Sequence, residues 1–411
     1  MLQKVKSSLK AFVQNSRVVY AVYKKIVLFF SSLNYGIISK TVKTDAKTIL
    51  FESFQGRSVT CSPKAMYLAA LNDQCYGDYS FVWAVRDLSA YKELEQNRNT
   101  RLVKYGSRAY LKACAKAKFW VTNSTMPAFV TPKKEQSFIQ TWHGTPLKRL
   151  GCDIKSEQGK AQKLSSIHKQ YISQGKKITC FVSPSEFYTD KISSAFNQSK
   201  SKFIECGYPR NDFLFCFTDE DVKKVKQSLN IPEDKKVLLY APTFRDDNFE
   251  RGKGFHYDIG IDFDLIKKEL SKDYVILFRA HYFVVDNFDL SRYKGFVYDV
   301  SRYQDINELY IISDMLLTDY SSVFFDYANL KRPIMFFMYD YELYKNKMRD
   351  FYLDITELPG KIAFKNDELV SLIKNTEQKF VYDDKYKQFN EKFNSQNDAN
   401  SSKRALKKCI K

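Results

Sequence analysis

Long apolar runs are missing from this chain. Its most apolar stretch, residues 18–38, is broken by Lys24 and Lys25 and again by Ser31, Ser32, Asn34 and Gly36. No window supplies the roughly 20 consecutive apolar residues of a membrane-crossing helix. The N-terminus lacks the clean apolar run and the small-residue cleavage site of a secretory signal. The expectation is a protein held peripherally on the cytoplasmic face of a cell membrane. No two of the eight cysteines form a CxxC pair, which argues against a zinc ribbon or a thioredoxin-type site. Cys180 and Cys206 sit in apolar, strand-like runs and read as buried free thiols of a reducing compartment. There is no P-loop and no GxGxxG, and no RRM, KH or zinc pattern to suggest a nucleic-acid partner.

What is present is a large, basic, aromatic-rich chain. At 411 residues it exceeds the size at which one core usually stops growing, so two domains are expected. A hydrophobic fraction of 44% with 16% aromatics is enough for a sizeable core. Lys and Arg outnumber Asp and Glu by 66 to 47, a net charge of +19 that favours anionic partners. The excess gathers at the two ends. Residues 1–47 hold nine basic residues and one acid, Asp45, and apolar residues recur there at three- and four-residue steps from Leu2 to Phe30. That pattern is a basic amphipathic helix. It either lies on an anionic membrane surface or docks on its own domain.

From residue 48 short β-rich runs alternate with helical patterns. One set covers 48–51, 80–85, 119–122, 137–142, 178–182 and 203–206; a second covers 237–241, 274–278, 296–300, 315–318 and 334–337. Many are continuously apolar, as in parallel strands buried on both faces. Two α/β units follow, at 48–225 and 226–385, with a basic helical tail at 386–411. In such sheets ligands bind beyond the carboxyl ends of the strands.

Chemistry-bearing residues cluster at those ends. His143 closes one run, in Gln140-Thr141-Trp142-His143-Gly144-Thr145-Pro146-Leu147-Lys148. It is either a general base or a structural histidine bonded to backbone. Arg279 and His281 end another run; the arginine either grips phosphate or pairs with a carboxylate at the domain interface. Thr243 and Arg245 follow the run at 237–241. Thr318, Asp319, Ser321 and Ser322 precede a helical pattern at 323–329, as an anion site or as a plain helix cap. Asp326 either holds a ribose hydroxyl or is a solvated acid. Asp262-Phe263-Asp264 reads as a helix cap rather than a metal motif, and the loop at 246–260 is a cover over the cleft or only a connection.

Taken together these segments resemble the CDP-glycerol glycerophosphotransferase family of teichoic acid primases and polymerases. The resemblance rests on Asn123-Ser124, on Gln140 to Lys148, on Gly207-Tyr208-Pro209-Arg210-Asn211-Asp212, on Ala241 to Asp246, on Arg279-Ala280-His281, and on Asp314 to Asp326 running on to Lys331-Arg332-Pro333. It implies a GT-B-type pair of Rossmann-like domains, no metal and no cofactor. It implies His143 as the base on the acceptor hydroxyl, and Arg279 with His281 on the pyrophosphate and leaving CMP. Thr243, Arg245, Thr318, Ser321 and Ser322 would hold donor phosphates, with Asp319 orienting them. Gly144, Thr145, Lys148, Arg210 and Asp326 complete the expected substrate-binding set. The implied reaction moves glycerol phosphate from CDP-glycerol to a lipid-linked or polymeric acceptor in cell-envelope polymer synthesis. A ribitol-phosphate transferase using CDP-ribitol shares the same motifs, and a GT-B glycosyltransferase using a nucleotide sugar is the nearest alternative outside the family.

Overall fold

The computed structural model describes residues 17–155, 163–243, 249–250, 254–255, 260–280, 289–342 and 351–410. It opens with helix α1 (Arg17–Thr41) and strand β1 (Asp45–Glu52). Helix α2 (Cys61–Leu71), β2 (Ser80–Val85), β3 (Thr100–Lys104), α3 (Arg108–Lys116), β4 (Ala117–Thr122), β5 (Ser137–Gln140), α4 (Leu164–Lys177), β6 (Cys180–Ser183), α5 (Glu186–Phe196) and β7 (Phe203–Glu205) complete a first half. A second follows: α6 (Asp219–Ser228), β8 (Lys236–Ala241), the short pair β9 (Phe249–Glu250) and β10 (Gly254–Phe255), α7 (Phe263–Leu270), β11 (Tyr274–Phe278) and β12 (Val297–Asp299). It continues with α8 (Ile306–Ile312), β13 (Met315–Thr318), α9 (Val323–Tyr327), β14 (Ile334–Phe337), β15 (Lys361–Ala363) and α10 (Asn366–Lys379), and then α11 (Asp384–Asn394) and α12 (Ser401–Cys409).

Two parallel sheets result. The first has seven strands in the order β3-β2-β1-β4-β5-β6-β7; the second has six, β12-β11-β8-β13-β14-β15. Both reverse direction beside their first strand, between β1 and β4 and between β8 and β13. This is the doubly wound order of Rossmann-like folds, and the reversal opens a crevice at the carboxyl ends of those strands. The central strands are apolar because helices cover both faces: every residue of β11, β13 and β14 is buried. Strands β3 and β15 fall outside the two sets expected from the sequence. Each lies at a sheet edge, where one side meets solvent and polar residues such as Arg101, Lys104 and Lys361 are tolerated. Asp262 caps α7, accepting from the amides of Asp264 and Leu265 at 3.0 Å each. Most of the loop at 246–260 lies outside the described residues.

The chain's last helices return to the first half. Phe389 and Phe393 of α11 stack against Phe325 of α9 at 5.5 and 5.2 Å, while Phe393 also meets Phe187 of α5 at 4.8 Å. Asp212 caps α12, accepting from the amides of Ser401 and Ser402 at 2.9 and 2.8 Å. The carboxyl-terminal segment therefore laces both halves together.

Helix α1 is docked by little. Tyr35 and Ile38 are buried against the first half, whereas Val22, Ile26, Phe29, Leu33 and Ile37 form an exposed apolar stripe on the opposite side. Tyr23, Val27 and Phe30 are exposed as well. No helix among the described residues is long and apolar enough to cross a membrane.

Glu52, the last residue of β1, is 1% exposed and accepts a hydrogen bond from Tyr110 Oη at 2.9 Å. Burial pushes its carboxyl up to about 7, against a smaller lowering by that hydrogen bond. A raised carboxyl binds more protons folded than unfolded, so folding stability falls as pH rises from the ordinary value of about 4.5 through about 7. Glu52→Gln keeps the acceptor oxygen and removes the charge. The variant is expected to be more stable than the parent at pH 8, by about 1–3 kcal/mol, and indistinguishable at pH 4.5. Thermal unfolding across pH checks this; parallel curves for the two proteins would refute it.

Candidate functional site

The carboxyl ends of the two sheets face each other across a cleft of about 550 Å³. The first half lines it with the segment from Trp142 to Lys148; the second contributes Ala241, Pro242, Thr243, Arg279, Ala280 and the turn Tyr320 to Val323. The halves approach closely here. A Cβ on Gly144 would lie 2.8 Å from Ser322 Oγ, so glycine is what lets the backbone pass.

His143 projects from the end of β5. The backbone turns sharply before it, with Trp142 at φ 51°, a left-handed conformation that costs on the order of 1–3 kcal/mol in a non-glycine residue. Three contacts hold that turn. Thr141 N donates to Thr122 O at 2.9 Å, Trp142 N donates to Gln140 Oε1 at 2.9 Å, and the Trp142 indole stacks on the imidazole with centroids 4.5 Å apart. His143 Nδ1 lies 2.7 Å from Asn123 O. A carbonyl only accepts, so Nδ1 carries the proton and Nε2 of the neutral ring keeps its lone pair. Water reaches the ring through the cleft, yet the ring lies deep between the halves. That depth lowers its pKa below the ordinary histidine value, with the Arg210 charge adding to the effect and the Asn123 hydrogen bond opposing it. The ring is neutral at pH 7 and able to take a proton.

The second half presents hydrogen-bond donors. Asp319 Oδ1 accepts from Thr243 N at 2.8 Å and from the Tyr320 amide, which ties the turn after β8 to the turn after β13. Ser322 precedes α9 but makes no side-chain cap bond. Helix α9 has only five residues before a 3-10 turn at Ala328–Leu330, shorter than the pattern at 323–329 suggested, so hydroxyls rather than a long helix dipole face the cleft. Arg279 is half-buried, and Nη1 donates to Val300 O at 3.0 Å and Tyr303 O at 2.9 Å. No carboxylate forms an ion pair with it among the described residues; desolvation lowers its pKa, opposed by Tyr310 and by the more distant Asp305 carboxylate. A cation without an ion pair favours an anionic ligand.

Other expected residues are placed differently. Thr318 is fully buried and donates from Oγ1 to Ala241 O at 2.8 Å, so it braces the sheet behind the cleft. Arg210 and Asp326 bind each other: Nη2 lies 2.8 Å from both carboxylate oxygens, and Asn211 Nδ2 adds a third bond at 2.9 Å. Their side chains are 4% and 8% exposed, and the pair joins the two halves behind His143. Thr145 lines the cleft with Gly144 and Lys148, and Lys148 also bridges to Phe351. Arg245 and His281 lie outside the described residues. Asn123, whose carbonyl holds the His143 ring and whose side chain accepts from Phe54 N at 2.8 Å, had no role assigned from the sequence; its place directly after a strand end was the available signal. Among the described residues no group of three His, Cys, Asp or Glu is placed to hold a metal ion.

The family model for CDP-Glycerol:Poly(glycerophosphate) glycerophosphotransferase matches residues 35–411. A teichoic acid poly(glycerol phosphate) polymerase of Bacillus subtilis strain 168 is 40% identical over 333 residues; the match covers 80% of this chain and 44% of that protein. One of the same description from Bacillus spizizenii is 35% identical over 390 residues, covering 94% of this chain and 98% of its own length. A solved structure of the wall teichoic acid polymerase TagF, a histidine-to-asparagine variant with CDPG, superposes with a TM-score of 0.81 at 36% identity and 93% coverage of both chains.

The buried pair generates a prediction. Asp326→Ala leaves Arg210 charged and unpaired in a dry site, a loss of about 3–5 kcal/mol. A large fall in thermal stability is expected, and Arg210→Met combined with Asp326→Leu should recover part of it. Weakened donor binding with unchanged stability would instead make Asp326 a substrate ligand.

Proposed function

The chain belongs to the CDP-glycerol:poly(glycerophosphate) glycerophosphotransferase family, and from that premise we propose that it transfers glycerol phosphate from CDP-glycerol to a hydroxyl of a cell-envelope polymer. One observation carries the reading: a neutral histidine with Nε2 free stands across the cleft from a half-buried arginine that forms no ion pair among the described residues and from a serine-rich turn. That is a base opposite an anion cradle.

The reaction joins the acceptor oxygen to the β-phosphorus of the donor and breaks the bond from that phosphorus to the bridging oxygen. The acceptor proton passes to His143 Nε2, and the bond electrons leave on CMP. Arg279, Ser321 and Ser322 stabilise the charge that gathers on the phosphates, and Asp319 holds the Thr243 and Tyr320 amides in place. Such transfer depends mainly on positioning and on fixed donors. His281 and Arg245 join this shell on the strength of the family pattern. CDP-ribitol remains the second donor to test, because the motifs do not separate the two polyols.

His143→Ala is expected to lower turnover by about 10²- to 10⁴-fold while leaving CDP affinity near that of the parent. In the parent, kcat/KM should fall with acid only below the ordinary histidine pKa of about 6.5, and the variant should lose that limb. CMP release from CDP-glycerol, CDP-ribitol and a UDP-sugar in turn, with a glycerol-phosphate-terminated acceptor, is the assay. Release from the UDP-sugar alone would overturn the reading, as would an unimpaired His143→Ala.

The acceptor is lipid-linked or polymeric, and the exposed apolar face of α1 together with its basic surroundings supports seating on an anionic membrane surface. Phe29→Ser with Phe30→Ser should reduce flotation with phosphatidylglycerol vesicles several-fold and leave CMP release from a soluble acceptor unchanged. Equal flotation of parent and variant would remove α1 from that role.

A further inference from the structure

Phe351 and Tyr352 of the second half join the two halves again beside the cleft. Phe351 stacks on Tyr320, whose turn carries Ser321 and Ser322, with ring centroids 5.7 Å apart. Tyr352 bonds to the first half. Its amide donates to Leu147 O at 2.8 Å. Its hydroxyl accepts from Leu150 N at 3.2 Å and donates to Asp153 Oδ2. Phe351 also pairs with Lys148 in an isolated antiparallel bridge. Leu147, Lys148 and Leu150 continue the cleft-lining segment that begins at Trp142. Two adjacent residues thus hold the segment bearing His143 on one side and the serine turn on the other.

The Tyr352 side chain sits in a prepared place. Its ring meets two cations of the first half, Arg149 at 5.4 Å and Lys191 of α5 at 5.8 Å from the centroid, distances at which an aromatic face attracts positive charge. Asp153 is itself held. Ser194 of α5 donates to its other oxygen, and the turn packs so closely that a Cβ on Gly151 would lie 2.2 Å from Ala195 O. Burial, and then the Asp153 bond, push the Tyr352 phenol up, so it keeps its proton and stays a donor. The hydroxyl is used once as donor and once as acceptor.

This contact bears on the distance across the cleft. Transfer needs the attacking oxygen and the phosphorus within about 3–3.5 Å of each other. The Arg210–Asp326 and Lys64–Asp305 pairs tie the halves around a single space, bordered by Arg210, Asp305 and Asp326. Ties gathered at one place leave a rotation about that place. A tie on the segment 147–153 removes it.

We propose that Tyr352 is a positioning residue for the transfer: through Leu147, Leu150 and Asp153 it holds the His143 segment against the serine turn at the separation the reaction needs. The proposal rests on the transfer reaction above.

Turnover, donor affinity and stability together separate this role from a purely structural one. Tyr352→Phe keeps the ring and removes the hydroxyl. It should lower kcat about tenfold, the worth of about one hydrogen bond. CDP affinity, which rests on the second half, should match the parent, and the unfolding temperature should stay within a few degrees. Asp153→Asn keeps an acceptor oxygen for the phenol and should retain most of the turnover. Asp153→Ala should match Tyr352→Phe, and the double variant should be no slower than either alone, because all three lack the same bond. An unimpaired kcat in Tyr352→Phe overturns the proposal, as do losses that multiply in the double variant. So does a lowered unfolding temperature with kcat per folded molecule unchanged. Hydrogen exchange followed by mass spectrometry reads the contact without turnover: peptides covering 147–153 should exchange several-fold faster in Tyr352→Ala than in the parent, with β8 and β13 unchanged. A parent that releases no CMP from any CDP-polyol fails the transfer reading, whereas equal exchange in the two proteins fails the Tyr352 contact.

Discussion

The cleft depends on one buried ion pair. His143 comes from the first sheet and Arg279 and Ser322 from the second, so the distance between them is an inter-domain distance. Arg210 and Asp326 set it. A buried pair adds little net stability over a well-packed apolar contact, but its geometry is directional and a partner lost is expensive. Two bonds to one carboxylate, the Asn211 bond to the same group and the Asn307 bond to the Arg210 carbonyl leave few ways for the halves to meet. Lys64 with Asp305 adds a second, more exposed tie at 3.1 Å. Helix α11 makes the same connection with aromatic contacts from Phe393 to both halves.

Strain gathers where this registration is used. Phe54, Gln55, Cys61 and Trp142 all have positive φ and lie beyond the carboxyl ends of β1 and β5, and Phe54, Cys61 and Trp142 border the space between the halves. None is glycine, so each left-handed residue must be held by its surroundings. Asn123 does much of the holding. Its side chain accepts from Phe54 N while its carbonyl accepts from His143, which links the turn after β1 to the orientation of the base. The folded chain thus fixes the ring before any substrate arrives, and a preorganised group needs no reorganisation during transfer.

The positions of the second sheet's strand-end residues were legible in the sequence. Thr243, Arg279, Asp319, Ser321 and Ser322 each follow a continuously apolar run, and parallel strands carry their ligand residues at that end. It displayed less where tertiary structure decides. Strands β3 and β15 are polar edge strands whose only apolar demand is on one side, so their runs do not announce themselves. Arg210 and Asp326 are 116 residues apart, and nothing local distinguishes a buried mutual pair from two substrate ligands. Thr318 shows the same ambiguity: a hydroxyl at a strand end faces a ligand or the neighbouring strand according to a half-turn of backbone. The basic helical tail likewise gave no local sign of where it docks: Arg404 of α12 donates to Cys206 O at 3.2 and 3.0 Å and anchors the tail to the first sheet.

The distribution of charge explains how so basic a chain can still bind selectively. Much of the net +19 gathers at the two ends of the sequence. There it acts at long range, through a field that salt screens within about 10 Å at 0.1 M. At the cleft the cations are sorted by partner. Arg210 is neutralised by Asp326 and Lys64 by Asp305, while Arg279 bonds two carbonyls and forms no ion pair among the described residues. The distinction comes from the carboxylates rather than from the arginines, which is why composition alone suggests an affinity for anions while only the fold sorts one arginine from another.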